Sequence, residues 1–287
     1  MTGYVVITPV RDEVKHIEHT ISSMLAQTLP PTEWVLVDDG STDGTAEVVD
    51  RYRASVAWLS VVQRPNRGFR AAGGGVVEAF YAGYRALRSS DWEFLVKLDG
   101  DLSFSSSYFQ ECLERFEQDP ELGIGGGVIE SVSPTGLVRE SHPTFHVRGA
   151  TKIYRRSCWN DIDGLVKAPG WDTLDEVKAT MLGWKTRSFE DLTLTQLKPT
   201  GSAAGQWRNW VKNGEASYIS GYHPLFVIVR SAGRLRQRPY VVASIGLLWG
   251  FTRAWFRRLQ RVDDKELVTY VRQQQLRRIF GKESVWR

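Results

Sequence analysis

The chain has 287 residues, 42% of them apolar and 24% charged, the balance of an ordinary globular protein rather than a disordered one. That length suits one large α/β domain or two smaller ones. The net charge of +4 is uneven: residues 230–287 hold 14 Lys+Arg against 4 Asp+Glu, so residues 1–229 are net acidic, and such a basic end predicts an anionic surface as partner.

The first element is the short apolar run Tyr4-Val5-Val6-Ile7-Thr8 before Pro9, which predicts a buried strand. Val14 to Gln27 carries Ile17, Ile21, Met24 and Leu25 on one helical face, and Pro30-Pro31 ends it. Trp34-Val35-Leu36-Val37 predicts a second strand, running into Asp38-Asp39-Gly40-Ser41. Thr42 to Arg53 follows as a helix, Val56 to Val62 as a third strand, and Ala71 to Leu87 as a helix despite Gly73-Gly74-Gly75. Glu93 to Leu98 is the fourth strand. This alternation of strand and helix predicts an α/β fold with a mostly parallel, doubly wound sheet. Right-handed crossovers then bring the strand ends to one edge.

That edge collects Pro9-Val10-Arg11-Asp12-Glu13, Asp38-Asp39 and Asp99-Gly100-Asp101. In open α/β sheets ligands bind outside the carboxyl ends of the strands. Two carboxylates one residue apart repel each other unless something positive sits between them. Mg²⁺ and Mn²⁺ prefer oxygen ligands and are often held by one or two carboxylates together with substrate phosphates. The functional reading is therefore a metal–diphosphate site. The bland one is a solvated turn, since Asp-Gly is also turn chemistry. Three acidic clusters, each at a strand terminus, favour the first.

Ser106 to Gln118 predicts an amphipathic helix. Gly123 to Ile129 predicts a Gly-rich strand or turn with close backbone packing. Residues 131–147 read as loop, and His142 and His146 have no metal-ligand spacing. Arg155 to Ile162 predicts a short helix. In Gly170-Trp171-Asp172-Thr173-Leu174-Asp175-Glu176, Asp172 stands as an N-cap and Asp175 as the acid of a capping box, with Val177, Met181 and Leu182 inward. A carboxylate aimed at a ligand from a helix N-terminus is the functional alternative. Cys112 and Cys158 predict reduced thiols.

These motifs resemble the inverting glycosyltransferases of family 2, with the GT-A fold. The resemblance rests on Thr8-Pro9 to Glu13, on Val37-Asp38-Asp39-Gly40-Ser41-Thr42-Asp43-Gly44-Thr45, on Asn66-Arg67-Gly68, on Leu98-Asp99-Gly100-Asp101 and on Trp171-Asp172, across roughly residues 3–190. It implies a Rossmann-like central sheet flanked by helices, with a helical basic C-terminal extension. It also implies transfer of a sugar from a nucleotide diphosphate sugar donor, with Mn²⁺ or Mg²⁺ as cofactor. Pro9, Arg11 and Glu13 would line the nucleoside pocket, and Asp39 would meet the base. Asp99 would face the ribose or the metal, and Asp101 would ligate the metal. The family acid before the late helix is usually Glu-Asp. Here Trp171-Asp172 stands there, which makes Asp172 the expected base, with Asp175 and Glu176 in reserve. The family's Ala-Arg-Asn is replaced by Ala72-Gly73-Gly74, so Arg67 or Arg70 would supply charge to phosphate. With the charge asymmetry, the resemblance divides the chain into a catalytic domain over 1–229, with a nucleotide-sugar half to about 101 and an acceptor half over about 102–229, and a basic tail over 230–287.

Further along, Arg208 in Gln206-Trp207-Arg208-Asn209-Trp210 is a candidate for the diphosphate, and His223 and Trp171 for diphosphate or acceptor. Tyr240 to Thr252 is uncharged but too short for a confident bilayer span. Arg253, Arg257, Arg258 and Arg261 follow among Trp255 and Phe256, and Leu267 to Phe280 is a second basic segment. Aromatic residues beside arginines suit a membrane surface; a helical pair packed on the body or in a homo-oligomer is the alternative. A membrane-surface location makes a glycan or polyprenyl-linked acceptor the expectation. No nucleic-acid motif is visible. The strand-like start predicts no signal peptide and a cytoplasmic location at the membrane face. A nicotinamide oxidoreductase, weakened because Val10-Arg11-Asp12-Glu13 replaces G-x-G-x-x-G, and a non-catalytic membrane-surface scaffold are the competing functions.

Overall fold

A computed structural model describes residues 3–68, 74–133, 136–140, 142–198, 205–235 and 240–286. The chain forms two compact units. The first comprises residues 1–165 and 182–199, and the second 166–181 and 200–287.

The first unit is built on one nine-stranded sheet. Strands β1 (Tyr4–Val10), β2 (Glu33–Asp38), β3 (Leu59–Gln63) and β4 (Phe94–Leu98) alternate with helices α1 (Ile17–Leu25), α2 (Thr45–Arg53) and α3 (Gly74–Ala86). They pair in parallel in the order β3-β2-β1-β4. Both faces of this part are covered, and for that reason the strands are continuously apolar. Tyr4, Val6, Trp34 and Leu36 join the core shared with α1 and α4 (Tyr108–Gln118). Ile7, Val35 and Val37 face α3, where a Cβ on Gly83 would fall 2.7 Å from Ile7 and Val37.

Beyond β4 the sheet is mixed. Its further strands are β5 (Leu102–Phe104), β6 (Leu122–Ser133), β7 (Gly136–Arg139), β8 (Thr151–Arg155) and β9 (Lys185–Gln196). β8 is antiparallel to both β4 and β6, β9 is parallel to β6, and β5 is antiparallel to β9. The parallel winding expected from the sequence therefore covers the first four strands. Residues 136–139, expected as loop, form a strand antiparallel to β6. Gly125-Gly126-Gly127 lies inside β6, where a Cβ at Gly126 would fall 2.4 Å from the Thr151 carbonyl oxygen. Close packing is what those glycines provide. Cys112 and Cys158 are buried free thiols.

The second unit is helical: α6 (Trp171–Met181), α7 (Gln206–Ile219), α8 (Pro224–Ala232), α9 (Val242–Phe256) and α10 (Lys265–Ile279), with the short α5 (Arg156–Asp161) left in the first unit. Its core joins Leu174, Val177, Tyr218, Phe226, Leu247 and Leu267, among others. The expected inward Leu182 is 46% exposed, because α6 stops at Met181 and the chain turns at Gly183, which has φ +93. Helices α7 and α9 touch through their backbones. A Cβ on Gly214 would meet the Leu247 carbonyl oxygen at 2.1 Å, and one on Gly250 the Val211 carbonyl oxygen at 2.0 Å. None of the described helices is long and apolar enough to cross a membrane.

Gly250→Ala sets two effects against each other. Alanine gains about 1 kcal/mol of helix propensity, but its methyl meets a backbone carbonyl that cannot swing away. Overpacking costs about 1–3 kcal/mol, so the variant should melt below the parent in a thermal denaturation followed by circular dichroism.

Candidate active site

Parallel pairing levels the strand tips. Val10 lies opposite Asp38 in register, and Ile7 opposite Lys97. The Asp39 amide donates to the Val10 carbonyl at 2.9 Å, and the Asp99 amide to the Ala150 carbonyl at 2.8 Å. The loops after β1 and β2 then lock together. The Asp12 amide donates to Ser41 Oγ (3.0 Å), the Glu13 amide to Thr45 Oγ1 (2.9 Å) and the Val14 amide to Asp43 Oδ2 (3.1 Å). In return the Thr42 amide donates to Asp12 Oδ1 (2.9 Å). The Asp-Gly-Ser-Thr-Asp-Gly-Thr run is thus a set of loop-to-loop hydrogen bonds. Gly40 is the tightest point: its φ is +75, and a Cβ there would lie 2.5 Å from Asn66 Cα.

A cleft of about 260 Å³ opens at these tips, lined among others by Pro9, Arg11, Glu13, Asp39, Asp99 and Asp101. The structure therefore gathers in one place six of the residues singled out from the sequence. Asp39 is buried and accepts from Arg64 Nη1 at 2.6 Å and from Arg67 Nη2. Arg67 also donates to Glu78 at 2.7 Å, so its guanidinium is engaged with two acids. Arg11 donates to Asn66 Oδ1 at 2.9 Å. Arg70 lies outside the described residues.

Asp99 pairs with the ammonium of Lys97, which also donates to the Gly149 carbonyl. Glu13 pairs with Lys198 at 2.6 Å. Asp101 accepts from Gln196 Nε2 at 3.1 Å. Burial, then the charge of Asp99, with a smaller contribution from Glu13, pushes the Asp101 carboxyl up from its ordinary 3.8 to about 7; the Gln196 hydrogen bond and Lys97 oppose this. Gly100 lets the two acids turn at this spot, since a Cβ there would fall 2.4 Å from Val10 Cγ1.

The donor set facing the cleft is carboxylate oxygen, which suits a hard divalent cation. Among the described residues no three His, Cys, Asp or Glu side chains form a cluster that could hold a metal. Asp99 and Asp101 therefore fit a cation that takes its remaining ligands from phosphate and water.

In the second unit, α6 begins at Trp171, so Asp172 lies in its first turn and is not the residue before it. The N-cap expected from the sequence is thereby corrected: the chain turns into the helix at Gly170, which has φ +85 and takes the Thr173 and Leu174 amides on its carbonyl. Asp172 is half-buried, whereas Asp175 and Glu176 are 1% and 0% exposed. Asp175 Oδ1 accepts from the Glu176 amide at 2.7 Å. Burial raises the Tyr222 hydroxyl, and the negative charges of Asp172 and Glu176 add to this against Arg230. His223 is the N-cap of α8, its Nδ1 accepting from the Leu225 amide at 3.2 Å. Arg208 is exposed in the first turn of α7.

Arg64, Lys97, Gln196 and Lys198 escaped the sequence reading. Lys97 carried a signal, since it stands two residues before Asp99 and period two puts both on one side of the strand. Gln196 and Lys198 carried none, because they reach the cleft from the end of a strand some ninety or more residues away in the chain.

The family model for glycosyl transferase family 2 matches residues 5–167. The chain belongs to this family. It is 31% identical over 128 residues to the uncharacterized glycosyltransferase EpsJ of Bacillus subtilis, covering 45% of this chain and 34% of that protein. To the poly-beta-1,6-N-acetyl-D-glucosamine synthase of Staphylococcus epidermidis it is 22% identical, covering 74% of this chain and 55% of the synthase. The chain thus spans about half or less of the length of these curated relatives. Among solved structures, the mannosyltransferase PcManGT of Pyrobaculum calidifontis, in complex with GDP-Man and Mn²⁺, superposes with a TM-score of 0.58 at 16% identity, over 98% of this chain and 88% of that one. TarS 1-349 of S. aureus superposes with a TM-score of 0.55 at 19% identity, over 97% and 79%. The fold is GT-A.

Without divalent cations, the Asp101 carboxyl makes a signed prediction. The unfolded chain releases this proton near 3.8 and the folded chain near 7, so the unfolded state binds fewer protons between those values. Stability should therefore fall as pH rises through that window. Asp101→Asn should flatten the slope and, in urea titrations with EDTA, leave the variant more stable than the parent at about pH 8.

Proposed function

We propose that this protein is a metal-dependent, inverting glycosyltransferase that moves a sugar from a nucleoside diphosphate sugar to an acceptor hydroxyl. The observation that carries the reading is the meeting of Glu13, Asp39, Asp99 and Asp101 in one cleft at the strand tips, with the Asp101 carboxyl pushed up to about 7 by burial and then by the charge of Asp99. A buried carboxyl left short of positive charge favours a cation beside it.

In this reading Pro9, Arg11 and Glu13 line the nucleoside side. Asp39, fixed by Arg64 and Arg67, accepts from the base, and Arg67 supplies positive charge to phosphate. Asp99 faces the ribose and, with Asp101, would hold Mn²⁺ or Mg²⁺. Bound there, the cation would stabilise the negative charge of the departing diphosphate. The base is Asp172. Of the three acids on α6 it alone is not fully buried, and a base must reach its proton. It takes the acceptor hydroxyl proton as the acceptor oxygen bonds to the anomeric carbon. The bond from that carbon to the diphosphate oxygen breaks in the same displacement, which inverts the centre. Like glycoside hydrolysis, the reaction passes through an oxocarbenium-like state. Arg208 is assigned to the diphosphate, and Trp171 and His223 to the diphosphate or the acceptor.

The acceptor is a glycan or polyprenyl-linked glycan at a membrane surface, in cell-surface polysaccharide assembly. The likeness to poly-beta-1,6-N-acetyl-D-glucosamine synthases supports a polysaccharide product. The basic residues 230–287 support an anionic surface.

Calorimetric titration with UDP and GDP, with and without Mn²⁺, followed by a nucleotide-sugar turnover panel, tests the reading. Nucleotide should bind in the presence of Mn²⁺, and Asp101→Asn should weaken that binding. Asp172→Asn should lower kcat by about 10²–10⁴-fold while leaving nucleotide affinity unchanged. Full turnover in Asp172→Asn would move the base to Asp175 or Glu176.

A further inference from the structure

Helix α9 is inside out for a water-facing helix. Its buried side holds Ala243, Gly246, Leu247, Gly250, Phe251 and Ala254, and Gly250 there lets α7 approach to backbone contact. Its bulkiest apolar side chains point the other way. Val241, Ile245, Trp249 and Phe256 are 42%, 51%, 56% and 80% exposed. At 3.6 residues per turn their spacing keeps them within about a quarter of the helix circumference. Trp255, 58% exposed, extends this stripe on one side. The neighbouring α8 leaves Leu225, Ile228 and Val229 exposed as well. Arg253, Arg257, Arg258 and Arg261 follow along or just past the same helix, all exposed.

We propose that the outward face of α9, with the arginines at its C-terminal end, seats this protein on the surface of an anionic lipid bilayer. The proposal rests on the reading of a membrane-presented acceptor and names the surface that would bring the enzyme to it. Three observations select this occupant. The apolar stripe is flanked by cations, and Trp and Phe beside Arg match the boundary between acyl chains and headgroups. Residues 230–287 carry 14 Lys+Arg against 4 Asp+Glu, which complements acidic headgroups. A second copy packed with its α9 parallel to this one is disfavoured, because that contact would set the arginine cluster at the C-terminal end against its own copy. The helix, at 15 residues, is also too short to cross, so it lies in the interface plane.

Vesicle co-sedimentation tests this with phosphatidylcholine alone and with phosphatidylcholine containing phosphatidylglycerol. The protein should pellet with the anionic vesicles and stay largely in solution with the neutral ones. Trp249→Ala with Phe256→Ala should lower partitioning by about tenfold or more, and Arg257→Glu with Arg258→Glu by a similar factor that vanishes at high salt. These positions are exposed, so thermal melts should be unchanged; if the tryptophan pair does not melt cooperatively, Phe256→Ala alone carries the test. Equal binding to both vesicles, variants that bind like the parent, or a lipid-free dimer that Trp249→Ala with Phe256→Ala dissolves would each overturn the proposal. Nucleotide binding is read separately by calorimetry without vesicles, so loss of one result does not imply loss of the other.

Discussion

Lys97 is an ammonium group inside a strand of the central sheet, 3% exposed at its side chain, and its partners are the Asp99 carboxylate and the Gly149 carbonyl. Moving such a group out of water costs several kcal/mol unless it is paired and hydrogen-bonded. The pair ties the tip of β4 to the segment entering β8, which is antiparallel to it. Neutralising Asp99 in this way uses the lysine's single charge. Asp101 is left with the Gln196 amide and with two acidic neighbours that outweigh the more distant influence of Lys97. The chain satisfies one carboxylate of its Asp-Gly-Asp turn and leaves the other short of positive charge. A site built that way suits a ligand that brings a cation.

The acids of the neighbouring strand are treated differently. Asp39 is held by two arginines, one of which is shared with Glu78. A buried carboxylate fixed by two guanidinium groups is oriented as well as neutralised. The loop hydrogen bonds between residues 12–14 and 41–45 hold Glu13 and Asp39 in place without help from a ligand. The cleft therefore combines a rigid, charge-balanced side with an acidic side that is not balanced. The first suits recognition of a base and ribose, and the second suits a diphosphate carried by a divalent ion.

The helical unit follows a different packing logic. Glycines at 214 and 250 allow α7 and α9 to touch backbone to backbone. That contact consumes the small side of α9 and turns Trp249, Trp255 and Phe256 outward. The apolar area that a water-facing helix would bury is spent instead on the surface. On α6, full burial of Asp175 and Glu176 leaves Asp172 as the acid with access to solvent.

The sequence by itself determined the four-strand parallel half, the acidic clusters at its strand tips, the family and the basic end of the chain. Each of those is carried by contiguous residues: continuous apolar runs for strands buried on both faces, and motifs that a turn keeps together. Only the tertiary structure decided the antiparallel remainder of the sheet and the partners of the acids. β8, β9 and β7 lack a run that distinguishes them from loop or helix, and their place is set by pairing with strands far along the chain. Arg64 follows β3, and Gln196 and Lys198 stand at or just past the end of β9; which acid each one meets depends on distances that no local pattern encodes. The same holds for α9, whose composition was readable as apolar. Which of its sides would be buried was settled by glycine contacts with a helix thirty residues earlier.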